Sequence, residues 1–286
     1  MKAAVVGCGI AGMASAIGLS RRGHEVTLFE TFKTPRPLGS GLLLQPSGLA
    51  ALRHLGLEDE VRAAGARVDR LDGRDRSGRR ILDLDYGRWR KGTHGIGVNR
   101  HDLFTLLFDA AKDAGINIIT ATPITAVDDF DRPRLRSEAG EVFDGFDLAV
   151  IADGSGSRLR EQIRPNAKAP VYPWGAVWTN CPDPGQAFSG ALRQLYDGVG
   201  VMIGALPLGG GQVSFFWSLP VAEHDGFFTQ DFQAWKDMVA NLWPDASPLL
   251  AGVTSAEGFS RAVYRDVTVG RWTRGACVLI GDAAHG

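Results

Sequence analysis

Three glycines near the start of the sequence have the spacing that lets a backbone approach a diphosphate group. They belong to one six-residue motif, Gly7, Cys8, Gly9, Ile10, Ala11 and Gly12. The first glycine permits a tight turn, the second admits the pyrophosphate, and the third lets a helix pack against a strand. Glu30 follows Gly12 by 18 residues, near the usual offset of a carboxylate that accepts a ribose hydroxyl. The pattern predicts a site for an ADP-containing cofactor.

The segments on both sides of this motif predict the elements that must position it. The apolar run at residues 2–6 is typical of a buried parallel strand. A helix follows with Ile10, Met13 and Ile17 on one face, and residues 25–30 predict a second strand that ends in Glu30. The N-terminus of the helix would offer unpaired N–H groups and a positive dipole end to the anion.

Two later segments repeat the pattern of a strand that delivers an acid. The apolar run at residues 148–152 ends at Asp153–Gly154, and the run at residues 276–280 ends at Gly281–Asp282. Between these elements the sequence predicts a helix at residues 49–57, two strands around a Ser77–Gly78 turn, and a helix at residues 101–114. Residues 171–220 are strand-rich, with a hairpin turn at the glycines 209–211, and residues 231–243 predict an amphipathic helix.

Composition limits the classes of partner. The chain has 286 residues, of which 44% are hydrophobic and 22% charged, as in a globular protein. The 31 Lys and Arg residues nearly balance 32 Asp and Glu residues, so no basic field favours nucleic acid or an anionic membrane. Cys8, Cys181 and Cys277 include no close pair. Their spacing argues against a disulfide scaffold or a zinc site and favours a reducing cytoplasm.

The first 20 residues also have some features of a secretory signal, namely an early lysine, an apolar run and small residues at 14–16. We expect no cleavage there, because cleavage would remove the strand that the glycine motif requires. No uninterrupted run of about 18 apolar residues occurs, so we expect a cytoplasmic protein without a membrane span. The histidines form no spaced cluster, and we predict no metal site.

Four motifs, in order along the chain, make the sequence similar to a known family. They are the glycine motif with Glu30, Arg100 at the start of RHDLFTLLFDAA, the Asp153–Gly154 strand end, and RGACVLIGDAAHG at residues 274–286. Together they resemble the class A flavoprotein monooxygenases, the aromatic hydroxylases similar to p-hydroxybenzoate hydroxylase. The resemblance covers nearly the whole chain. Residues 39–57, GSGLLLQPSGLAALRHLGL, resemble the segment that passes beside the flavin ring in that family.

The resemblance implies a set of FAD-binding residues. They are Gly7, Gly9, Ile10, Ala11, Gly12, Glu30, Arg36, Gly41, Arg100, Asp153, Gly154, Gly281 and Asp282. In this family the glycine motif and its acid hold the ADP half of FAD, and the carboxylate of Asp282 would contact the ribityl chain. The Asp153–Gly154 pair would contact both FAD and NADPH. Arg100 would reach the flavin phosphate or ribityl side, whereas Arg36 and the Gly39–Gly41 loop would lie near the ring system.

The resemblance also implies an enzyme that hydroxylates a small aromatic or other conjugated substrate, using FAD, dioxygen, and NADPH or NADH. In the family, reduced flavin forms a C4a-hydroperoxide whose distal oxygen passes to the substrate ring. No catalytic acid or base can be assigned from a motif. Five aromatic residues are candidates for the substrate pocket: Trp174, Trp178, Tyr196, Phe215 and Trp217. The alternative for most of them is a place in the core of a sheet.

The predicted fold class is α/β, with a Rossmann-like FAD-binding domain of the GR2 type and an inserted β-sheet-rich substrate domain. We expect the FAD-binding domain at residues 1–69, 100–169 and 271–286, and the substrate domain at residues 70–99 and 170–270. In the family a further helix follows the GDAAH sequence. We therefore expect that this sequence is a shortened or partly recorded form, or that a partner completes the site.

Several alternatives can be compared with the sequence. A flavin halogenase would need a W-x-W-x-I-P signature, a dithiol reductase a close cysteine pair, and a Baeyer–Villiger oxygenase a second glycine motif, and the sequence has none of these. A flavin oxidase or reductase on the same scaffold stays open, as does a non-catalytic flavoprotein fragment. The sequence indicates neither the substrate, nor the preferred nicotinamide, nor the oligomeric state.

Overall fold

The computed structural model describes residues 1–36 and 40–285. The helices, numbered in chain order, are α1 Ile10–Ser20, α2 Pro46–His54, α3 Glu58–Ala64, α4 Tyr86–Trp89, α5 Arg100–Asp113, α6 Arg160–Ile163, α7 His224–Thr229 and α8 Phe232–Leu242. The strands, numbered likewise, are β1 Lys2–Val6, β2 Glu25–Phe29, β3 Gly41–Leu44, β4 Ala66–Asp75, β5 Arg80–Asp85, β6 Gly95–Asn99, β7 Asn117–Ile119, β8 Ile124–Asp129, β9 Arg134–Ser137, β10 Val142–Phe143, β11 Leu148–Ile151, β12 Val171–Pro182, β13 Gly190–Asp197, β14 Val201–Pro207, β15 Gln212–Pro220, β16 Ser260–Arg265, β17 Thr273–Arg274 and β18 Cys277–Leu279.

The elements predicted around the motifs are confirmed. The strand–helix–strand unit at the start of the chain is β1, α1 and β2, and the hairpin around Ser77–Gly78 is β4 and β5. The helix expected at residues 49–57 is displaced, since α2 begins at Pro46 and ends at His54. Proline suits the first turn of a helix because its fixed φ is helical and its missing N–H would have no partner there.

The chain divides into two compact units. The first comprises Met1–Pro37, Phe104–Val171 and Tyr264–Gly286, and the second comprises Leu38–Leu103 and Tyr172–Val263. The sequence predicts residues 1–69 in the FAD-binding domain. Within this range, β3 pairs with β6, and β4 pairs with β5, β6 and β13, so these two strands belong to the sheet of the second unit.

The first unit is built on a six-stranded sheet in the order β17-β18-β11-β1-β2-β7. All neighbouring strands are parallel except β17 and β18. The carboxyl ends of β1, β2, β11 and β18 therefore lie at one edge. These strands are followed, respectively, by the glycine motif, Glu30, Asp153–Gly154 and Gly281–Asp282. Helix α1 buries Met13, Ala16 and Ile17, which fixes the glycine loop relative to this edge.

The second unit is built on a nine-stranded sheet in the order β16-β12-β15-β14-β13-β4-β6-β3, with β5 attached to β4. One face of β12, β14 and β15 packs on α8 and the following turns in a core that includes Phe215, Trp217 and Trp235. Helix α8 starts at the N-cap Asp231, whose carboxylate accepts two backbone N–H groups of the first turn. Helix α8 and the turns after it thus cover this face of the sheet.

The expected fold class is confirmed: the protein is α/β, with a Rossmann-like parallel unit and a β-sheet-rich unit. No helix within residues 1–36 and 40–285 has both the length and the apolar character needed to span a membrane. In the same residues, no three His, Cys, Asp or Glu side chains are grouped as ligands of a metal ion.

Candidate cofactor-binding site

The turn after β1 has a backbone conformation that requires glycine. Gly7 has φ of 106°, and its N–H donates to the carbonyl oxygen of Phe29 at 2.8 Å. A Cβ at this position would overlap the carbonyl oxygen of Ala152. The loop therefore passes directly over the end of β11, which brings the first glycine of the motif next to the Asp153–Gly154 pair.

The N-terminus of α1 is open to an anion. Gly9 is the N-cap and supplies no side-chain cap, and the first helical bond runs from the N–H of Met13 to its carbonyl oxygen at 2.9 Å. The space where a Cβ of Gly9 would lie has no atom within 4 Å. Uncapped N–H groups, a positive helix end and free space beside the backbone are what a diphosphate needs, so this part of the site fits FAD.

Glu30 lies next to the glycine loop. Its carboxylate accepts the N–H of Cys8 at 2.9 Å and that of Phe32 at 2.9 Å. A carboxylate has about four acceptor positions, so capacity remains for ribose hydroxyls. Burial, reinforced by the negative charge of Glu30, raises the pKa of the Cys8 thiol to about 12. Cys8 is therefore an inert filler of the loop, in keeping with its place beside an acid.

Asp153 stands at the end of β11 with part of its carboxylate unsatisfied. One oxygen, Oδ2, accepts a long bond of 3.4 Å from the N–H of Leu159, whereas Oδ1 is buried and has no hydrogen-bond partner in the described part of the chain. Burial raises the pKa of this carboxyl group. An unpaired buried acceptor calls for an explanation, and a donor group on a bound ligand would supply one.

The end of β18 lies beside β11 and against the glycine motif. The N–H of Ile280 donates to the carbonyl oxygen of Ile151 at 3.0 Å, and a Cβ on Gly281 would lie 2.7 Å from the Cβ of Ala11. Asp282 is exposed. The structure thus brings together the glycine motif, Glu30, Asp153–Gly154 and Gly281–Asp282 at one edge of one sheet.

Arg160, which the sequence reasoning did not single out, connects two of these loops. It is only 3% exposed, and its guanidinium donates to the carbonyl oxygens of Ser155 at 2.9 Å, Asp282 at 3.0 Å and Ala283 at 2.8 Å. Burial lowers its pKa, yet arginine stays charged at any ordinary pH. The available signal was an arginine in the segment GSGSRLREQIR, seven residues after Asp153.

Three other predicted residues, Arg36, Gly41 and Arg100, have different immediate surroundings. Arg36 is exposed and lies over the ring of Phe32, 5.0 Å from its centroid. Gly41 and Arg100 belong to the second unit, where the N–H of Arg100 donates to the carbonyl oxygen of Ser40 at 2.8 Å. Gly39, expected in the same loop as Gly41, lies outside the described residues.

The five aromatic pocket candidates separate onto two faces of the second sheet. Phe215 and Trp217 are buried in the core, with ring centroids 6.2 and 5.7 Å from that of Trp235. They are core residues, because α8 covers their face of β15. Trp174, Trp178 and Tyr196 point the other way and are half-buried.

The face opposite α8, part of which is covered by Gly41 packed on Ser214, carries aromatic side chains that no single motif indicated. The ring of Trp178 lies 4.9 Å from that of Phe216 on the neighbouring strand. The hydroxyl of Tyr196 donates to Oε1 of Gln194 at 3.0 Å. The indole Nε1 of Trp178 is buried and has no hydrogen-bond partner among the described residues. Flat apolar rings with a few polar groups suit contact with an aromatic molecule.

Comparisons with known proteins agree with this arrangement. The family model of an FAD binding domain matches residues 1–286. The FAD-dependent urate hydroxylase of Klebsiella pneumoniae is 26% identical over 301 residues, which cover 100% of this chain and 75% of the relative. The 6-hydroxynicotinate 3-monooxygenase of Bordetella bronchiseptica is 27% identical over 294 residues, which cover 99% of this chain and 76% of the relative.

A solved structure has the same fold. The tetrameric form of 2-methyl-3-hydroxypyridine-5-carboxylic acid oxygenase matches with a TM-score of 0.85 and 25% identity, over 99% of this chain and 75% of that chain. The arrangement of strands described above is thus shared with this oxygenase.

Proposed function

Because this chain belongs to the FAD binding domain family, we propose that it is an FAD-dependent monooxygenase that hydroxylates a small aromatic substrate. The observation that carries the proposal is the convergence of four loops at one sheet edge, with an uncapped helix N-terminus and an open position at Gly9. The names of the relatives support the reaction type.

Each residue at the edge would have a stated task toward the cofactor. The N–H groups at the start of α1 would bind the diphosphate, and Glu30 would accept ribose hydroxyls with its remaining lone pairs. Asp282, which is exposed at the end of β18, would accept from hydroxyls of the ribityl chain. Arg36, Gly41 and Arg100 are assigned to FAD by the resemblance alone.

FAD, when bound, would supply the redox chemistry by taking two electrons from NADPH or NADH and activating dioxygen. In the overall reaction one oxygen atom enters a C–H bond of the substrate and the other leaves as water, while NAD(P)H and a proton are consumed. The chain's own part is to hold the substrate ring in place and to exclude water. Asp153, with its unpaired Oδ1, would accept a hydrogen bond from FAD or NAD(P)H.

The substrate is proposed to bind on the face of the second sheet opposite α8, against the half-buried side chains of Trp178, Tyr196 and Trp174. Aromatic side chains stack on a flat ring with broad chemical tolerance, and the indole N–H of Trp178 would give direction if the substrate carries an acceptor. A ring with a carbonyl, carboxylate or ring nitrogen satisfies both requirements.

The test is a visible absorption spectrum of the purified 286-residue chain with and without added FAD, followed by NADPH and NADH oxidation with a panel of aromatic acids and N-heterocycles. Uptake of FAD, and a substrate that gains one oxygen atom by mass spectrometry, is the expected result. Hydrogen peroxide without any oxygenated product would identify an oxidase instead. A chain that takes up no FAD would sink the proposal for this form.

A further inference from the structure

Ser214 is a fully buried hydroxyl on β15 that bonds to a different part of the second unit. Its Oγ accepts the N–H of Gly41 at 3.2 Å and lies 3.0 Å from Oγ of Ser40. The strand that begins at Gly41 is at the far end of the sheet order from β15. These bonds are therefore tertiary contacts, which the strand pairing does not supply.

The direction of the hydrogen bonds in this cluster is determined by its members. The hydroxyl of Ser40 donates to Oδ1 of Asn180 at 2.5 Å, and a hydroxyl has only one proton to donate. Ser214 must therefore donate to Ser40, and it accepts from the N–H of Gly41. The result is a continuous chain of three hydrogen bonds from Gly41 through Ser214 and Ser40 to Asn180.

The same cluster fixes two residues that were assigned to FAD. The carbonyl oxygen of Ser40 accepts the N–H of Arg100 at 2.8 Å. Gly41 pairs with Asn99 in the β3–β6 ladder, and a Cβ on Gly41 would lie 2.5 Å from the Cβ of Ser214. The backbone of Gly41 thus lies directly on Ser214, and the backbone at Arg100 is attached to the same short segment.

We propose that Ser214 is a positioning residue for FAD binding: it does not touch the cofactor, but it holds Ser40 and Gly41, and through Ser40 the backbone of Arg100, in one conformation. This inference rests on the proposed function, which assigns Gly41 and Arg100 to FAD. Without the Ser214 hydroxyl, Ser40 and Gly41 would have to be ordered when FAD binds. The free-energy cost of this ordering would lower the affinity for FAD.

The experiment compares Ser214→Ala with Ser218→Ala. Ser218 lies on the same strand, and its Oγ also accepts one backbone N–H, that of Met202 at 2.8 Å, but it makes no bond to Ser40 or Gly41. FAD is titrated into each apoprotein and the dissociation constant is read from the quenching of flavin fluorescence. We expect S214A to weaken FAD binding roughly tenfold and S218A to leave it unchanged.

A second pair of variants, at Ser40, distinguishes a positioning role from a folding defect. Ser40 is half-buried, so Ser40→Ala and Ser40→Thr should both fold. S40A should weaken FAD binding and alter the fine structure of the visible flavin band, and S40T, which retains the hydroxyl, should restore both. A melting temperature of S40A close to that of the wild type, measured without FAD, excludes a folding defect as the cause.

The outcomes separate this inference from the function on which it rests. A wild-type chain that takes up no FAD overturns both. Wild-type uptake with equal dissociation constants for S214A and S218A, or for S40A and S40T, overturns the positioning role and leaves the proposed function standing. The melting temperature of each variant, measured without FAD, confirms that the compared proteins are folded.

Discussion

Nε of Arg160 donates to the carbonyl oxygen of Ala283 at 2.8 Å across 123 residues of sequence. The other end of the guanidinium donates to Ser155 and Asp282. One buried cation thus ties together the loops that follow β11 and β18, the two strands that deliver Asp153 and Asp282. The planar fork of arginine can satisfy several carbonyls at once, which the point charge of lysine cannot.

Replacement of Arg160 by lysine should loosen this connection. We expect Arg160→Lys to lower the free energy of unfolding by about 2 kcal/mol, because at least one buried carbonyl loses its partner, and to weaken FAD binding. The matched control is Arg158→Lys, since Arg158 is 70% exposed and only forms an ion pair with Glu138. Equal urea midpoints for the two variants would contradict the role of Arg160.

Two glycines of the motif should fail in different ways. Gly7→Ala introduces strain at φ of 106° and an overlap with Ala152, and it should lower stability by about 2 kcal/mol or more. Gly9→Ala places a methyl group in open space, so stability should change by less than about 1 kcal/mol. FAD binding should nevertheless weaken at least tenfold in G9A, as measured by fluorescence titration. Normal FAD affinity in a folded G9A protein would show that the diphosphate does not approach this loop.

The two faces of the second sheet should respond differently to loss of tryptophan. Trp217→Ala empties a buried site next to Trp235 and should lower the free energy of unfolding by about 3–5 kcal/mol. Trp178→Ala should leave FAD content unchanged and raise the KM for the aromatic substrate about tenfold. Steady-state kinetics and urea unfolding on both variants check this pair. A W178A enzyme with unaltered KM would place the substrate elsewhere.

His224 should make stability fall in mildly acidic solution. Its imidazole is 3% exposed, and Nε2 has no hydrogen-bond partner in the described residues. Burial, with help from Arg261, lowers its pKa below the usual 6.5, although Asp225 opposes the shift. The unfolded chain therefore takes up a proton at higher pH than the folded one. The contribution is fully present above about pH 6.5 and is lost as the pH falls through the folded pKa.

The measurement is the urea midpoint of the wild type and of His224→Gln across this pH range. The decline below pH 6.5 should be shallower in the variant. Glu58 gives a separate window at lower pH, because bonds from Arg53 and Arg62 lower its pKa from 4.5 to about 2. Parallel curves for the two proteins from pH 6.5 down to about pH 4.5, where the Glu58 window begins, would show that His224 does not titrate on unfolding.

The local pattern of the sequence was sufficient to predict β1, α1 and β2 of the first unit. Glycines at fixed spacing, an apolar strand on each side and Glu30 at the right offset predicted an arrangement that depends on only 30 residues. Asp153 and Asp282 were found because each ends an apolar run, which is a property of neighbours in sequence.

The rest depends on tertiary contacts that no local pattern contains. Phe215 and Trp217 alternate along β15 with Phe216, and the pattern alone does not tell which face a helix will cover. Arg160 and Ser214 act through partners more than 100 residues away. The assignment of β3 and β4 to a sheet has a similar origin, since these strands find their partners only when the second sheet forms.

The order of strands in the first sheet also governs how the protein can fold. Strand β1 lies between β2 and β11, and β11 pairs in turn with β18. The paired strands β1 and β11, and β11 and β18, are separated by more than 100 residues of chain. Contacts between residues so far apart in sequence form slowly, because the long loop between them must first lose conformational entropy. Strands β1 and β2 can pair early, but β1 lacks its other neighbour until residues 148–151 have been made, and β11 lacks its own until residues 277–279 have been made. Apolar surface of the early strands stays uncovered in the interval, which favours aggregation of incomplete chains.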